Sequence, residues 1–304
     1  MADTPELIVA TDMCPVAEFR GHLPRRLASI PIVLYMHEHQ FGYPTPHAAK
    51  ERDEHLAMTN IMSVLAADGV WWNSRYTLES FLDGARSLLR RMPPPRMRSR
   101  LDAVEGVSRV LSPGVDDELF TMPRRERASV HLLWNARWEY DKGADVVATA
   151  LEMLAERGVA FTCDLVGPAT GEDPSMAKLR GALGERVIRF GRQSQDGYRA
   201  ALAEADFVLS AARHECFGIA IVEAVACGAV PAVPRGLAYP DVLADVPAIW
   251  HDGTGEGLCE VLARACEERS REVNRNGVGR YAWSERASEL DTHTERVILE
   301  QNGA

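Results

Sequence analysis

The chain lacks a long apolar run. No stretch reaches the roughly 18 residues that a membrane-spanning helix requires, although 46% of the 304 residues are hydrophobic. The opening residues also lack the basic and apolar segments of a secretory signal. These absences predict a cytoplasmic protein without a membrane span, and the length suits two domains of ordinary size.

Closely spaced cysteines are absent as well. The six cysteines are scattered through apolar or helical stretches without C-x-x-C spacing, which predicts reduced, buried thiols. The run His37-Glu38-His39 does not have the spacing of the helical zinc motif, because Phe41 stands where the second histidine would be needed. Successive side chains of a strand also point to opposite faces. We therefore predict no metal site and no other cofactor.

Short apolar runs alternate with helical stretches along the whole chain. This alternation predicts an α/β fold of parallel sheets flanked by helices. A Pro113-Gly114 pair after the fourth apolar run predicts a hinge, which gives an amino-terminal domain over 1–116, a second domain over 117–283 and a carboxyl-terminal helix over 284–304 that crosses back to the first. Strands are predicted at 7–10, 32–36, 70–73, 107–111, 131–135, 162–166, 187–190, 207–210, 230–233 and 248–250, with first-half helices at 16–28, 51–67 and 78–91.

Two glutamates seven residues apart surround a predicted helix start. Glu215 lies in the loop before the helix and Glu223 just over one turn into it, if Gly218 opens the helix. The first N–H groups of a helix and its dipole favour a bound diphosphate. Carboxylates only accept hydrogen bonds, so they suit the hydroxyls of a sugar or a ribose. Taken alone, the pair could equally be a solvated helix face.

A second segment supplies the positive charge. The apolar run 131–135 breaks into a polar loop that holds Arg137 and Lys142, and a helix begins near Ala144. Such loops converge beyond the carboxyl ends of the strands in an open sheet, where ligands bind. Arginine and lysine there could neutralise a departing diphosphate, although isolated surface charges are usually just solvated.

Together these segments resemble the donor-binding motifs of glycosyltransferase family four. The resemblance implies the GT-B fold, with two Rossmann-like domains whose parallel sheets face a central cleft. It implies that Glu215 contacts the donor sugar, Glu223 the ribose, and Arg137 and Lys142 the diphosphate. The helix start, Phe217-Gly218-Ile219, belongs to the same donor-binding set.

The amino-terminal half resembles the tRNA-queuosine α-mannosyltransferases. The resemblance rests on the runs 7–13, 33–44 and 66–76 and extends from about residue 6 to residue 300. These enzymes transfer mannose from GDP-mannose to queuosine in a tRNA anticodon. The chain departs from the pattern at His39, where an asparagine is expected, and it begins after an additional amino-terminal segment that the relatives carry, which predicts a shortened acceptor site.

Several first-half residues are candidates for the acceptor side. His37 ends an apolar strand and is expected at the carboxyl edge of the sheet, where the resemblance implies a catalytic rather than a structural histidine. Asp12 ends the first predicted strand and is expected to cap the helix after Pro15, with an acceptor-site role as the alternative. The remaining acceptor-side candidates are Glu38, Gln40, Asn73 and Ser74.

Charge is unevenly distributed. The total of −10 divides into −1 for residues 1–116 and −9 for the remainder. Despite this negative total, the segment between Arg86 and Arg109 is rich in arginine. It could bind tRNA phosphates, or it could be a solvated surface. Its arginines are Arg86, Arg90, Arg91, Arg96, Arg98, Arg100 and Arg109.

The sequence therefore predicts a retaining, metal-independent hexosyltransferase that moves mannose from GDP-mannose to queuosine in tRNA. Positioning and charge stabilisation at His37, Arg137, Lys142 and Glu215 would carry the chemistry. Two alternatives stay open. One is a glycosyltransferase that acts on a lipid, glycan or small molecule, and the other is a non-catalytic relative that binds nucleotide sugar or RNA.

Overall fold

The structure, a computed structural model, describes residues 4–44, 54–92, 97–125, 127–168, 174–268 and 274–302. The chain forms two compact units. Among the described residues, those before 44, those from 54 to 113 and those from 284 onward form the first unit, and residue 44 and those from 114 to 283 form the second. The expected hinge pair, Pro113-Gly114, stands where the chain passes from one unit to the other. Within the described residues, no helix is long and apolar enough to cross a membrane.

The first unit is built on a four-stranded parallel sheet in the order β1-β2-β3-β4. Each strand pairs with the next along the chain, and parallel neighbours require a crossover, which the helices supply. The elements are β1 (Ile8–Thr11), α1 (Val16–His22), β2 (Ile32–Met36), α2 (Glu54–Ala66), β3 (Gly69–Trp72), α3 (Arg75–Arg91), α4 (Met97–Val107) and β4 (Ser108–Val110).

The second unit has a six-stranded parallel sheet in the order β10-β9-β8-β5-β6-β7. Its elements are α5 (Glu118–Thr121), β5 (Val130–Asn135), α6 (Ala144–Glu156), β6 (Phe161–Val166), α7 (Pro174–Leu183), β7 (Val187–Gly191), α8 (Gln195–Glu204), β8 (Phe207–Leu209), α9 (Ile219–Ala226), β9 (Val230–Pro234), α10 (Tyr239–Val242), β10 (Ile249–His251) and α11 (Gly255–Glu268). The last helix, α12 (Trp283–Asn302), belongs to the first unit from residue 284 onward. Short 3-10 helices lie at Arg25–Leu27 in the first unit and at Tyr140–Lys142, Gly184–Arg186 and Arg275–Tyr281 in the second.

Both faces of the first sheet are covered. Ile32 and Leu34 of β2 point into the apolar layer beneath α1 to α4, where both are fully buried. The intervening Val33 points to the other face, where Leu290 and Val297 of α12 pack. The alternation of strand side chains thus gives β2 apolar residues on both sides, as expected for a parallel strand covered by helices.

The strand order of the second unit determines where a ligand can bind. From β5 the chain moves outward to β6 and β7, and it then returns to the other side of β5 with β8, β9 and β10. The order therefore reverses between β5 and β8. Open α/β sheets bind ligands at this switch point, beyond the carboxyl ends of the strands, because the connecting loops diverge there and leave a crevice.

All predicted strands match the observed ones to within one residue at each end, but two helix predictions are wrong. The first helix ends at His22 rather than at residue 28, because Pro24 disfavours a helical Leu23, which is extended. The third begins at Arg75 rather than at residue 78, because Ser74 caps it. Helix α4 lies within the basic segment, and Leu101 and Val104 bury one side of it.

Candidate functional site

The second unit contains a cavity of about 480 Å³ at its topological switch point. Asn135 at the end of β5 and Leu209 at the end of β8 form part of its wall, as the strand order requires. Six of the predicted donor-binding residues line this one cavity: Arg137, Lys142, Glu215, Gly218, Ile219 and Glu223. The tertiary structure therefore brings the two motifs, some eighty residues apart in sequence, to one site.

Lys142 is held in a nearly buried position by three acceptors. Its Nζ lies 3.2 Å from Oε2 of Glu215, 3.2 Å from Oδ2 of Asp141 and 3.3 Å from the carbonyl oxygen of His214. Burial alone would lower the pKa of Lys142, but the attraction of Glu215 and Asp141 raises the pKa above its usual value. The ammonium group is therefore a fixed positive charge in the wall of the cavity.

The backbone next to Lys142 depends on glycine. Gly143 has a φ of 69°, and a Cβ atom there would lie 2.1 Å from the carbonyl oxygen of Ala211. Only glycine allows the loop after β5 to approach the loop after β8 this closely. This contact brings Lys142 within reach of Glu215.

Glu215 joins the cation to the helix start. Its Oε1 accepts a hydrogen bond from the N–H of Gly218 at 3.0 Å, while Oε2 faces Lys142. Gly218 is the N-cap of α9 with a φ of 87°, a conformation that favours glycine. The N–H groups of the first helical residues have no intrahelical partner, and Ile219 and Ala220 both line the cavity. The site thus combines a helix amino terminus, a cation and a carboxylate.

Glu223 belongs to a hydrogen-bonded chain that the sequence did not predict. The Tyr198 hydroxyl donates to Oε2 of Glu223 at 2.6 Å, and Nδ2 of Asn135 donates to the Tyr198 oxygen at 3.1 Å. Burial raises the pKa of the Glu223 carboxyl, and the hydrogen bond from Tyr198 opposes that rise. Tyr198 carries no motif signal, because it lies on α8, which reaches the cavity only through the fold.

Arg137 is more exposed than Lys142. Half of its side chain is accessible, and Nη1 lies 3.1 Å from Oε2 of Glu139. Gly167, in the loop after β6, has a φ of 146°, and a Cβ there would lie 1.8 Å from the carbonyl oxygen of Ala136. Close packing of these two loops thus shapes the rim around Arg137.

Phe217 is the exception among the predicted donor-binding residues. Its side chain does not line the cavity. It is buried and packs edge-on against Tyr281, with ring centroids 5.1 Å apart. This side chain thus packs behind the helix start, and a donor contact by Phe217 stays a prediction.

In the first unit, three predicted residues meet at the carboxyl edge of the sheet. Oδ1 of Asp12 accepts the backbone N–H of His37 at 3.3 Å, and Nδ2 of Asn73 donates to the His37 carbonyl oxygen at 2.7 Å. The expected capping role of Asp12 is wrong, because Pro15 is the N-cap of α1 and makes no side-chain cap. Burial lowers the pKa of the His37 imidazole, with Asp12 acting in the opposite direction.

Other residues of the predicted acceptor set support the local structure. Ser74 is buried and its Oγ accepts the N–H of Thr77 at 3.1 Å, as a helix cap does. Gln40 is half-buried and donates its backbone N–H to Oδ1 of Asn60. Glu38 is half-buried in the same loop. These positions leave the proposed roles of Glu38 and Gln40 as predictions.

His39 points into the first unit. Nδ1 accepts the N–H of Phe41, so the neutral ring carries its proton on Nε2 and donates it to Oγ of Ser80 at 2.8 Å. The ring is buried at 1% exposure. Its departure from the family pattern therefore affects loop packing. Across the described parts of the chain, no cluster of three His, Cys, Asp or Glu residues suits a metal.

The basic segment lies far along α3 from Ser74. Arg86 pairs with Glu105 at 3.1 Å, and Arg91 pairs with Glu54 at 2.6 Å. Twelve to seventeen helical residues correspond to roughly 18–25 Å, so this segment approaches the opposite edge of the sheet from His37. Arg90 and Arg100 are exposed, Arg109 donates to the Ser108 carbonyl oxygen at 2.6 Å, and Arg96 and the side chain of Arg98 lie outside the described residues.

Comparison with solved structures defines the class of the fold. Sucrose-phosphate synthase from Thermosynechococcus elongatus superposes with a TM-score of 0.71 at 17% identity, over 97% of this chain and 74% of that one. HepE from Anabaena, solved with UDP, superposes with a TM-score of 0.70 at 17% identity, over 96% of this chain and 79% of the HepE chain. Residues 129–253, which include most of the cavity, match the family model described as "Glycosyl transferases group 1". The chain thus has the GT-B glycosyltransferase fold.

The first unit carries a more specific similarity. Residues 1–115 match the model described as "tRNA-queuosine alpha-mannosyltransferase N-terminal". The tRNA-queuosine α-mannosyltransferase of Drosophila melanogaster is 32% identical over 78% of this chain and 65% of its own length. The match of residues 1–115 and the similarity to the Drosophila enzyme confirm the resemblance of this chain to the tRNA-queuosine α-mannosyltransferases.

A further relative is less similar in sequence. The GDP-mannose-dependent α-(1-6)-phosphatidylinositol dimannoside mannosyltransferase of Mycobacterium tuberculosis is 27% identical over 64% of this chain and 54% of its own length. The chain thus spans about two thirds of the Drosophila relative and about half of the mycobacterial one.

Proposed function

We propose that this protein transfers mannose from GDP-mannose to queuosine in tRNA, with retention at the anomeric carbon. The observation that carries the proposal is the single cavity in which Lys142 and Arg137 lie with Glu215, Glu223 and the amino terminus of α9. Cations and unpaired helix N–H groups suit a diphosphate, and carboxylates suit hydroxyls. A nucleotide sugar contains all of these groups in one molecule.

In the proposed reaction, the bond between the anomeric carbon and the β-phosphate oxygen breaks. A queuosine hydroxyl oxygen forms the new bond to that carbon, and its proton passes to the departing diphosphate. Negative charge therefore grows on the diphosphate as the bond breaks. Lys142 and the start of α9 are placed to stabilise it, and such preorganised charge is usually the largest contribution to rate.

Glu215 links sugar binding to diphosphate binding in this proposal. Lys142 contacts one of its carboxylate oxygens and the Gly218 N–H donates to the other. A diphosphate that attracts the ammonium of Lys142 would weaken the first of these contacts. Oε2 of Glu215 would then accept a hydrogen bond from a sugar hydroxyl.

The choice of tRNA as acceptor rests on the first unit. The mycobacterial relative acts on a phosphatidylinositol dimannoside, so a donor domain of this type does not itself specify the acceptor. Residues 1–115 match the family whose description names tRNA-queuosine. The presence of six predicted donor-binding residues at one cavity favours an enzyme over a non-catalytic binding protein.

The test is a transfer assay with purified protein, GDP-mannose and tRNA that contains queuosine. Digested nucleosides analysed by mass spectrometry should show a hexose added to queuosine, and tRNA without queuosine should remain unmodified. NMR of the product nucleoside should show the α-linkage. Binding of GDP-mannose without transfer would instead favour the non-catalytic alternative, and transfer to a lipid acceptor only would remove the tRNA assignment.

A further inference from the structure

We propose that Tyr198 is a positioning residue that orients the Glu223 carboxylate to accept both ribose hydroxyls of the donor nucleotide. The inference rests on the proposed donor site and assigns a role to a residue outside the glycosyltransferase motifs. Tyr198, Asn135 and Glu223 all line the cavity, but they come from α8, β5 and α9.

The direction of each hydrogen bond follows from the carbonyl of Ala220. This oxygen can only accept, and it lies 3.0 Å from the side-chain amide of Asn135, which must therefore present its NH₂ group there. The second N–H of the same amide points to the Tyr198 oxygen at 3.1 Å. Tyr198 then has one proton of its own, and it donates that proton to Oε2 of Glu223 at 2.6 Å.

This arrangement fixes one oxygen of Glu223 and leaves the other for a ligand. Among the described residues, no hydrogen bond reaches Oε1 of Glu223, while Oε2 keeps a second lone pair. A vicinal diol presents two hydroxyl donors side by side. A carboxylate whose rotation is restrained by Tyr198 can accept from both, with less loss of conformational entropy on binding.

The same hydrogen bond favours the ionised form of Glu223. Burial raises the pKa of this carboxyl, and the bond from Tyr198 acts against that rise. Burial and the neighbouring charge of Glu223 in turn raise the pKa of Tyr198, so the phenol keeps its proton. An ionised carboxylate accepts at both oxygens, whereas a protonated carboxyl has one oxygen that donates.

The experiment measures the affinities of GDP and of 2′,3′-dideoxy-GDP, which lacks the diol, by calorimetry. The unsubstituted protein should prefer GDP by roughly ten- to a hundredfold, as expected for hydrogen bonds to a charged group. Tyr198→Phe should reduce that preference by about five- to tenfold, while the affinity for dideoxy-GDP stays nearly constant. A purely structural role would weaken both ligands together.

Two further variants make the comparison robust to changes in stability. Tyr281→Phe also removes a buried tyrosine hydroxyl, which donates to the Val242 carbonyl oxygen at 3.3 Å outside the cavity, and it should leave the GDP preference unchanged. In a Glu223→Gln background, Tyr198→Phe should have little additional effect on the preference, because the two residues act through one interaction.

The outcomes separate the inference from the proposed function. If the unsubstituted protein fails to bind GDP, or binds GDP and dideoxy-GDP equally, the assignment of the donor site is wrong and the role of Tyr198 falls with it. If that protein prefers GDP and Tyr198→Phe retains the full preference, the donor site stands and the positioning role of Tyr198 is refuted.

Discussion

Replacement of Lys142 by methionine tests the charge in the cavity most directly. Methionine keeps much of the apolar stem but removes the ammonium group that contacts Glu215 and Asp141. A unit charge about 4 Å from a departing phosphate, at an effective dielectric constant of about 20, contributes about 4 kcal/mol. We therefore expect kcat/KM for GDP-mannose to fall by about 10²–10³-fold.

The assay is release of GDP from GDP-mannose in the presence of queuosine-containing tRNA. Lys178→Met is the matched control, because Lys178 is exposed on α7 and does not line the cavity. Loss of Lys142 leaves two carboxylates without their cation, so circular dichroism at the assay temperature must show that the variant is folded. A folded Lys142→Met protein whose kcat/KM falls less than about fivefold would refute the assignment of Lys142 to diphosphate stabilisation.

Three other predictions follow from the described contacts. Gly218→Ala should lower Tm and raise KM for the donor, because its Cβ would lie 2.9 Å from the Tyr239 ring at a φ of 87°, a strain of roughly 1–3 kcal/mol. Gly181→Ala, which has open space within α7, should not lower Tm and should leave KM unchanged. Burial lowers the pKa of His251. In the unfolded chain this histidine takes up a proton near pH 6.5, whereas in the folded protein it does so only at lower pH. Tm should therefore fall as the pH falls below about 6.5, and it should fall less steeply in a His251→Gln protein. Arg90→Ala should reduce the salt dependence of tRNA binding by about one unit of log–log slope if the exposed arginine contacts a phosphate, and an unchanged slope would place tRNA elsewhere.

Local sequence determined most of the elements and the motif residues of the donor site. The strand ends before Asn135 and the helix start at Gly218 are visible because apolar runs stop at polar or glycine residues. The E-x7-E pair and the Arg137–Lys142 loop carry their chemistry in residue type and spacing alone. These features depend on interactions between near neighbours in the chain, and a linear pattern records such interactions.

The sequence was a weaker guide to helix capping in the first unit than to the elements themselves. Asp12 and Ser74 are both polar residues close to a helix start, and either could cap. The structure assigns the cap to Ser74, while Asp12 accepts the His37 N–H from the neighbouring strand. That choice depends on which backbone N–H lies within reach, so it follows from strand pairing and not from the order of residues.

Only the tertiary structure decided the partners of the two glutamates. Lys142 reaches Glu215 because Gly143 permits two loops to approach each other, and Tyr198 reaches Glu223 because α8 and α9 contact each other. Lys142 and Glu215 stand 73 residues apart, and Tyr198 and Glu223 stand 25 apart. Contacts of this kind arise from the reversal of strand order between β5 and β8, which gathers separate loops at one edge of the sheet.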